Sequence, residues 1–461
     1  MYSKAYFSNP EFNSCSDEQV KDKIRAFQEK RLIPQLRYCY DHSPFYRRKF
    51  DDANVKPEDI WTLDDLRALP IFMTKEYERK NALESLEKQN HPFGTHLCAP
   101  VEKLYLTCTT SGTTGIPTFT YTFTYNDIEL ISRGLGHRFS FCGVRNGDRI
   151  LFVFPLGIYA TTMTLWGIRG IGALPIDIDA RAGSELILRF ADLTRVNYMA
   201  CTPSLAEHLI QKAPSVIGKE VIDLKLKGLM LTGEIGVSIQ KIKDKLEEAY
   251  GCPAYDYWAP AGHAIAISCN SKEYQGLHGT SSDLCTSFED LVDPQTKEPL
   301  KIEDGIIGEM VITSLKREAG PLVKYAYGDM VQIFTKPYAS CGFPGNRIKI
   351  IGRSDDMLII KGVNVYPAAI KNIISSFAPR VTGEIRIILD ELPPRVTPPL
   401  KIKIEHGEHT HEDELPVLSN QIAQTLHDRL KIRPILQWVR PGTLEKSTSK
   451  TPIFEKTYQK K

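Results

Sequence analysis

From about residue 104 to residue 350, short β-rich runs alternate with amphipathic segments, and that rhythm restricts the fold more than any other feature of the chain. Arg149-Ile150-Leu151-Phe152-Val153-Phe154 and Gly228-Leu229-Met230-Leu231 read as buried strands, and residues 239–250 as a helix with one apolar face. Strands that recur with helices between them build a sheet covered by helices, so an α/β layered body is expected. Near residue 356 the pattern restarts. A strand pair within 357–365, a helix near 368–377, strands at 384–389 and 400–405 and a helix at 414–430 predict a second, small α+β body. The Pro-rich stretch Pro393-Pro394-Arg395-Val396-Thr397-Pro398-Pro399 is expected as an exposed connection inside it, because prolines cannot continue a ladder. Ahead of both bodies, Val20, Ile24, Phe27, Leu32, Leu36 and Tyr40 fall at helical spacing. At 461 residues the chain exceeds one small core, and the expected division is 1–354 for a large N-terminal body and 355–461 for a small C-terminal one.

Charge excludes some classes of partner. A formal net charge of +2, with acids and bases nearly balanced, creates no field that would gather nucleic acid or an anionic membrane. Small-molecule partners are expected, with a homodimer as one candidate assembly. The N-terminal residues Met1-Tyr2-Ser3-Lys4 lead directly into polar sequence with no apolar secretory core, and a cytoplasmic location is expected. Residues 151–168 are uncharged, but Pro155, Gly157 and several threonines interrupt them, which predicts a buried strand and a packed helix rather than a membrane span. Ten cysteines without regular spacing read as reduced thiols.

The chemistry starts at Thr110-Ser111-Gly112-Thr113-Thr114-Gly115-Ile116-Pro117-Thr118. Glycines let backbone N–H groups approach an anion, and hydroxyls donate to phosphate oxygens, so the loop suits the polyphosphate of ATP. It lacks the Gly-Lys-Ser/Thr ending of a Walker A loop. Far downstream stands a second motif, Ile351-Gly352-Arg353-Ser354-Asp355-Asp356-Met357-Leu358-Ile359-Ile360-Lys361-Gly362-Val363-Asn364-Val365-Tyr366-Pro367. The two together resemble the adenylate-forming ligases, and within them the phenylacetate-CoA ligase family. Tyr40-Asp41-His42-Ser43-Pro44-Phe45-Tyr46-Arg47, Leu66-Arg67-Ala68-Leu69-Pro70 and His91-Pro92-Phe93-Gly94 point to the same branch, and the resemblance spans nearly the whole chain.

The resemblance implies a reaction and its parts. A carboxylate attacks the α-phosphate of ATP, giving an acyl-adenylate and pyrophosphate, and the thiol of CoA then takes the acyl group and releases AMP. Two negative groups must meet in the first step, which calls for oriented donors and a cation. Lys450, in Pro441-Gly442-Thr443-Leu444-Glu445-Lys446-Ser447-Thr448-Ser449-Lys450, matches the family's catalytic lysine. Asp329 and Arg353 match the pair that binds the ribose hydroxyls, a carboxylate being able to accept from both at once. Thr232-Gly233-Glu234 resembles the adenine-contacting turn, and Tyr257 and Trp258 occupy the aromatic position of the nucleotide pocket. Asp355 matches the hinge of a mobile lid and Gly362 the path of the pantetheine arm. For an aromatic acid the pocket candidates are Phe154, Leu156, Tyr159, Trp258, Ala259 and His263.

Two departures qualify the catalytic reading. The family's aromatic-Gly-x-Thr/Ser-Glu motif is here Tyr257-Trp258-Ala259-Pro260-Ala261-Gly262-His263, and no glutamate occurs between Tyr255 and Asn270 to help hold Mg2+. Magnesium rides largely on substrate phosphates and water, so ATP use survives that loss in principle; Asp256 and His263 are the nearest titratable groups. Ile116 stands where these ligases often carry lysine. Cys269, His278 and Cys341 fall where some members hold a structural Zn2+, a reading that stands beside ordinary buried residues. Two alternatives to CoA ligation therefore remain: adenylyl transfer to another acceptor, and a non-catalytic nucleotide-binding relative.

Overall fold

The computed structural model describes residues 17–109, 119, 121–155, 161–259, 266–279, 290–336, 346–361, 363–444 and 452–459. Among these, a sheet of twelve strands forms the backbone of the large body. One half is parallel, running through Leu174–Asp179, Arg149–Phe154, Tyr198–Cys201, Gly228–Leu231 and Ala254–Trp258. At Ala254–Trp258 the direction changes. Ala266–Ser268 pairs with it antiparallel, followed by Leu277–Gly279, Arg347–Arg353, Tyr325–Phe334, Ile307–Ile312 and Leu291–Val292. The parallel strands are apolar along their length, as expected where helices cover both faces. Leu151, Val153, Met199 and Leu229 pack with Ile187, Leu205 and Leu246 of the helices on one side, while Ile150, Phe152 and Met230 pack with Phe139, Leu165 and Ile168 on the other.

Local chemistry fixes the helix ends. Thr124 caps Tyr125–Phe141 by accepting from the Asp127 N–H at 3.2 Å, and Asp127 returns the bond to the Thr124 N–H at 3.0 Å. Thr202 caps Pro203–Ile217, whose first position is the proline that best tolerates a missing N–H. The helices Tyr125–Phe141 and Thr161–Gly170 cross at Gly136 and Gly167, so closely that a Cβ on Gly167 would lie 2.7 Å from the Ser132 carbonyl. This pair covers one face of the parallel half of the sheet.

The first helix, Asp17–His42, meets its partners far away in sequence. Gln35 donates to the Arg317 carbonyl at 3.0 Å and accepts from the Arg317 N–H at 2.8 Å, and the buried Tyr46 hydroxyl donates to the Pro321 carbonyl at 2.6 Å. The N-terminal stretch whose apolar residues fall at helical spacing is followed directly by a second helix, so two helices, Asp17–His42 and Pro44–Asp52, are fastened to the antiparallel half.

The C-terminal body has its own core. Strands Ile435–Val439, Lys401–His406, Val381–Leu389 and Phe454–Lys456 form a four-stranded sheet in that order, with Pro367–Ser375 and Leu415–Leu430 packed on it. Ile385, Ile387, Ile402 and Ile404 meet Ile370, Ile374, Leu418 and Ile422 in one cluster. The hairpin Leu358–Ile360 and Val363–Val365 adjoins it, and the Pro-rich stretch bonds back to that hairpin, with the Ile359 N–H donating to the Pro394 carbonyl at 2.7 Å. Among the described residues no helix is long and apolar enough to cross a membrane.

Candidate active site

Ligands of open parallel sheets bind beyond the carboxyl ends of the strands, and four of the residues singled out from sequence stand at two such ends. Trp258 ends the last parallel strand, and Thr232, Gly233 and Glu234 follow the strand before it. Asp329 and Arg353 come from neighbouring antiparallel strands and face each other in register. Arg353 Nη1 donates to Asp329 Oδ1 at 2.8 Å, and Trp258 Nε1 donates to Asp329 Oδ2 at 2.8 Å. Arg353 also grips Asp355, through Nε at 2.7 Å and Nη2 at 3.1 Å. Burial opposes the guanidinium's charge, yet the two carboxylates outweigh it and hold Arg353 above its ordinary range. Gly328 makes this approach sterically possible: its φ is +95°, and a Cβ there would lie 2.7 Å from Arg353 Nη2.

A cationic and aromatic layer lies beneath. The Arg353 guanidinium sits 5.9 Å from the Tyr327 ring centroid and the Lys75 ammonium 5.1 Å from it. Lys75 pairs with Glu78 at 3.3 Å, and Glu78 accepts from the Tyr325 hydroxyl at 2.7 Å. Lys75 brings a positive charge to this corner from the start of the helix Lys75–Gln89, and sequence reasoning passed it over because nothing local links it to a residue 252 positions later. Tyr327 stands where the family commonly has threonine.

Strand alternation separates neighbours. Tyr257 points into the core, its ring 6.1 Å from Phe139, while Trp258 turns to Asp329. Asp256 shares the Trp258 face. Its Oδ2 accepts from the Tyr274 hydroxyl at 2.8 Å, its N–H donates to Ser268 Oγ at 2.8 Å, and burial raises its carboxyl to about 7. Lys349 approaches the Tyr274 ring at 5.9 Å, and burial lowers its ammonium. The Glu234 carboxylate accepts from the Ser204 N–H at 2.7 Å, filling one of the orphan donors at the start of Pro203–Ile217. Gly233, at φ +95°, makes the turn between the strand and that contact.

Phe154 is buried, its ring 4.9 Å from Phe152, and Ala259 packs against the large core beside Trp258. Cys269 is buried with its Sγ 3.0 Å from Ser271 Oγ, and His278 is buried on the next strand; among the described residues no three metal-binding side chains cluster. Thr110, Ser111, Gly112, Thr113, Thr114, Gly115, Thr118, Leu156, Tyr159, His263, Cys341, Gly362 and Lys450 lie outside the described residues. Strands Leu104–Cys108 and Tyr121–Thr124 pair as a hairpin around 110–118. The chain before Lys450 is pinned where the Leu444 N–H donates to Glu405 Oε2 at 3.0 Å, and after it where the Ile387 N–H donates to the Ile453 carbonyl at 2.8 Å.

Comparison with known proteins gives the arrangement its class. Residues 362–455 match the family model described as the AMP-binding enzyme C-terminal domain. A structure of 2-hydroxyisobutyryl-CoA ligase in the postadenylation state superimposes with a TM-score of 0.81 at 23% identity, covering 94% of this chain and 89% of that one. The same ligase in its thioesterification state gives 0.65 at 24% identity over 95% and 91%. The fold is that of the adenylate-forming ligases. A phenylacetate-coenzyme A ligase of Pseudomonas putida is 30% identical over 362 residues, 76% of this chain and 75% of that protein, and one of Thermus thermophilus is 28% identical over 445 residues, 93% and 95%. The chain belongs to the phenylacetate-coenzyme A ligase family.

Proposed function

We propose that this chain uses ATP to activate an aromatic or arylacetic acid and passes the acyl group to CoA, releasing pyrophosphate and AMP. The family supports an AMP-forming acid–CoA ligase, and the observation that carries the nucleotide part is the corner where Arg353 and Trp258 each bond one oxygen of Asp329. A carboxylate fixed from both sides is a ready acceptor for a vicinal diol. In this reading Asp329 and Arg353 hold the ribose, and Trp258 borders the base. The loop 110–118 takes the phosphates, and Lys450 bridges the attacking carboxylate and the α-phosphate. The acid's oxygen bonds to the α-phosphorus as the bond to pyrophosphate breaks. The thiol sulfur then bonds to the acyl carbon as its bond to AMP breaks, and the thiol proton leaves to solvent.

We take residues 355–461 as the lid, hinged at Asp355, with Gly362 beside the path of CoA. The grip of Arg353 on Asp355 supports a hinge that senses the nucleotide corner. Magnesium belongs on the phosphates in this scheme. The acids described around the corner are already engaged, Asp329 by Arg353 and Trp258, Asp355 by Arg353, Asp256 by Tyr274 and Glu78 by Lys75 and Tyr325, so they do not form a ligand set and no step is routed through the ion. An aromatic acid is favoured by the relatives' chemistry.

The missing glutamate favours one second reading, a relative that binds nucleotide without turnover. Pyrophosphate release decides between them. The full chain is assayed with ATP, magnesium and a panel of aromatic acids, with and without CoA, beside Lys450→Ala. Acid-dependent release that the variant loses, with AMP and thioester appearing only with CoA, is the expected result. Nucleotide binding without release for any acid would replace the ligase reading with the second.

A further inference from the structure

Trp258 and Asp329 are distant in the sheet. Three strands separate the strand of Trp258 from that of Asp329, and at about 4.8 Å per step a flat sheet would hold the two residues roughly 19 Å apart. The 2.8 Å bond between them means that the sheet curls between these two strands and brings the indole to the carboxylate. One donor on Asp329 thus comes from each half: Arg353 from the adjoining antiparallel strand, Trp258 from the last parallel one.

The consequence lies in the plane of the carboxylate. Each oxygen has two acceptor directions, and the two donors use one on each. Without the indole N–H the group loses a bond at Oδ2 and gains freedom to pivot about its Cβ–Cγ bond; with it, both oxygens are held and the edge is fixed. A vicinal diol is a two-donor ligand whose oxygens must both meet that edge, whereas a sugar with one hydroxyl can follow a pivoting acceptor. We propose that Trp258 is a positioning residue for the nucleotide's sugar, and that its indole N–H, acting through Asp329, sets the preference for a ribonucleotide over a deoxyribonucleotide. The proposal rests on the assignment of Asp329 to the ribose. A phenylalanine ring would pack similarly here but has no N–H to give.

Calorimetric titration of AMP and 2′-deoxyAMP into the full-length protein tests this without requiring turnover. The original chain is expected to bind AMP more tightly. Trp258→Phe is expected to lose on the order of tenfold of that preference, the worth of one hydrogen bond to a charged group, chiefly through weaker AMP binding. Trp258→His, which keeps a ring N–H, is expected to recover part of it and serves also if the phenylalanine variant folds poorly. Equal weakening of both nucleotides in Trp258→Phe, with the preference unchanged, would reduce Trp258 to packing and overturn the proposal. Asp329→Asn checks the underlying reading separately: if it too leaves the preference intact, the ribose assignment fails and the inference with it.

Discussion

Arg353 lies directly across the ladder from Asp329 and holds it with one edge of the guanidinium while the other edge grips Asp355. One side chain therefore links the proposed sugar site to the proposed hinge. A planar fork can serve two carboxylates at once, and an ammonium cannot reproduce that geometry. Arg353→Lys is expected to raise KM for ATP about tenfold or more and to slow thioester formation, read by acid-dependent ATP–pyrophosphate exchange and by CoA thioester production. An unchanged KM would remove Arg353 from nucleotide binding.

Lys324 and Asp290 make a fully buried pair at 3.1 Å, and Lys324 Nζ also donates to the Arg67 carbonyl at 3.2 Å. Burial drives both groups toward neutrality, the acid upward and the amine downward, and their mutual attraction opposes it. Lys324→Ala leaves a carboxylate buried without its cation and is expected to cost about 3–5 kcal/mol. The double variant Lys324→Met with Asp290→Leu should recover much of that loss in urea denaturation. Additive losses would show that the pair is not coupled.

Asp256 makes stability depend on pH. Burial is the largest influence and raises its carboxyl to about 7, against partial opposition from the Tyr274 bond and the Lys349 charge. An unfolded aspartate titrates near 3.9, so between about pH 4 and 7 the folded chain holds a proton that the unfolded chain has released. The contribution of this group consequently falls as pH rises through that window, and the penalty is complete above about 7. Asp256→Asn, which keeps an acceptor for Tyr274, is expected to be more stable than the parent by roughly 1–3 kcal/mol at pH 8 and no more stable at pH 4. Melting temperatures of the two proteins across pH measure this, and parallel curves would contradict it.

Two glycines of one helix make a paired test of close packing. A Cβ on Gly167 would meet the Ser132 carbonyl, the Gly136 nitrogen and Leu135 all within 3 Å, whereas one on Gly170 would meet nothing within 4 Å. Gly167→Ala is expected to destabilise by about 1–3 kcal/mol through overpacking. Gly170→Ala should be neutral or slightly stabilising, because alanine loses less backbone entropy than glycine. Equal effects in thermal melts would mean that the helix crossing relaxes freely.

The long strands were legible because they are apolar throughout: Arg149–Phe154 and Gly228–Leu231 are buried on both faces, so each residue advertises its state. Ile435–Val439 and Phe454–Lys456 were not, since both lie at the edges of the small sheet, where polar or charged residues such as the exposed Gln437 and the half-buried Glu455 blur the pattern. At the site, Asp329 and Arg353 carry their meaning in adjacent motif residues. Trp258 does not, because its bond depends on the curl of a sheet with three intervening strands. Glu234 shows the converse: the motif marks the turn, but only the packed helix reveals that its carboxylate serves the Ser204 N–H.

The attachment of the first helix to residues 315–323 bears on how the protein is made. Gln35 and Arg317 exchange hydrogen bonds across 282 residues. At about 5–20 residues per second, a ribosome takes roughly 15–60 s to cover that interval. During this time the apolar side of Asp17–His42, including Leu32, Leu36 and Cys39, can meet Phe45, Phe50 and Leu63 but lacks the part of its seat that Leu315, Leu322 and Val323 supply. The nascent chain must therefore shelter its opening segment, in transient collapse or on a chaperone, until the antiparallel half emerges, and slowing translation just upstream of residue 315 should lower the yield of native enzyme more than slowing it after residue 330.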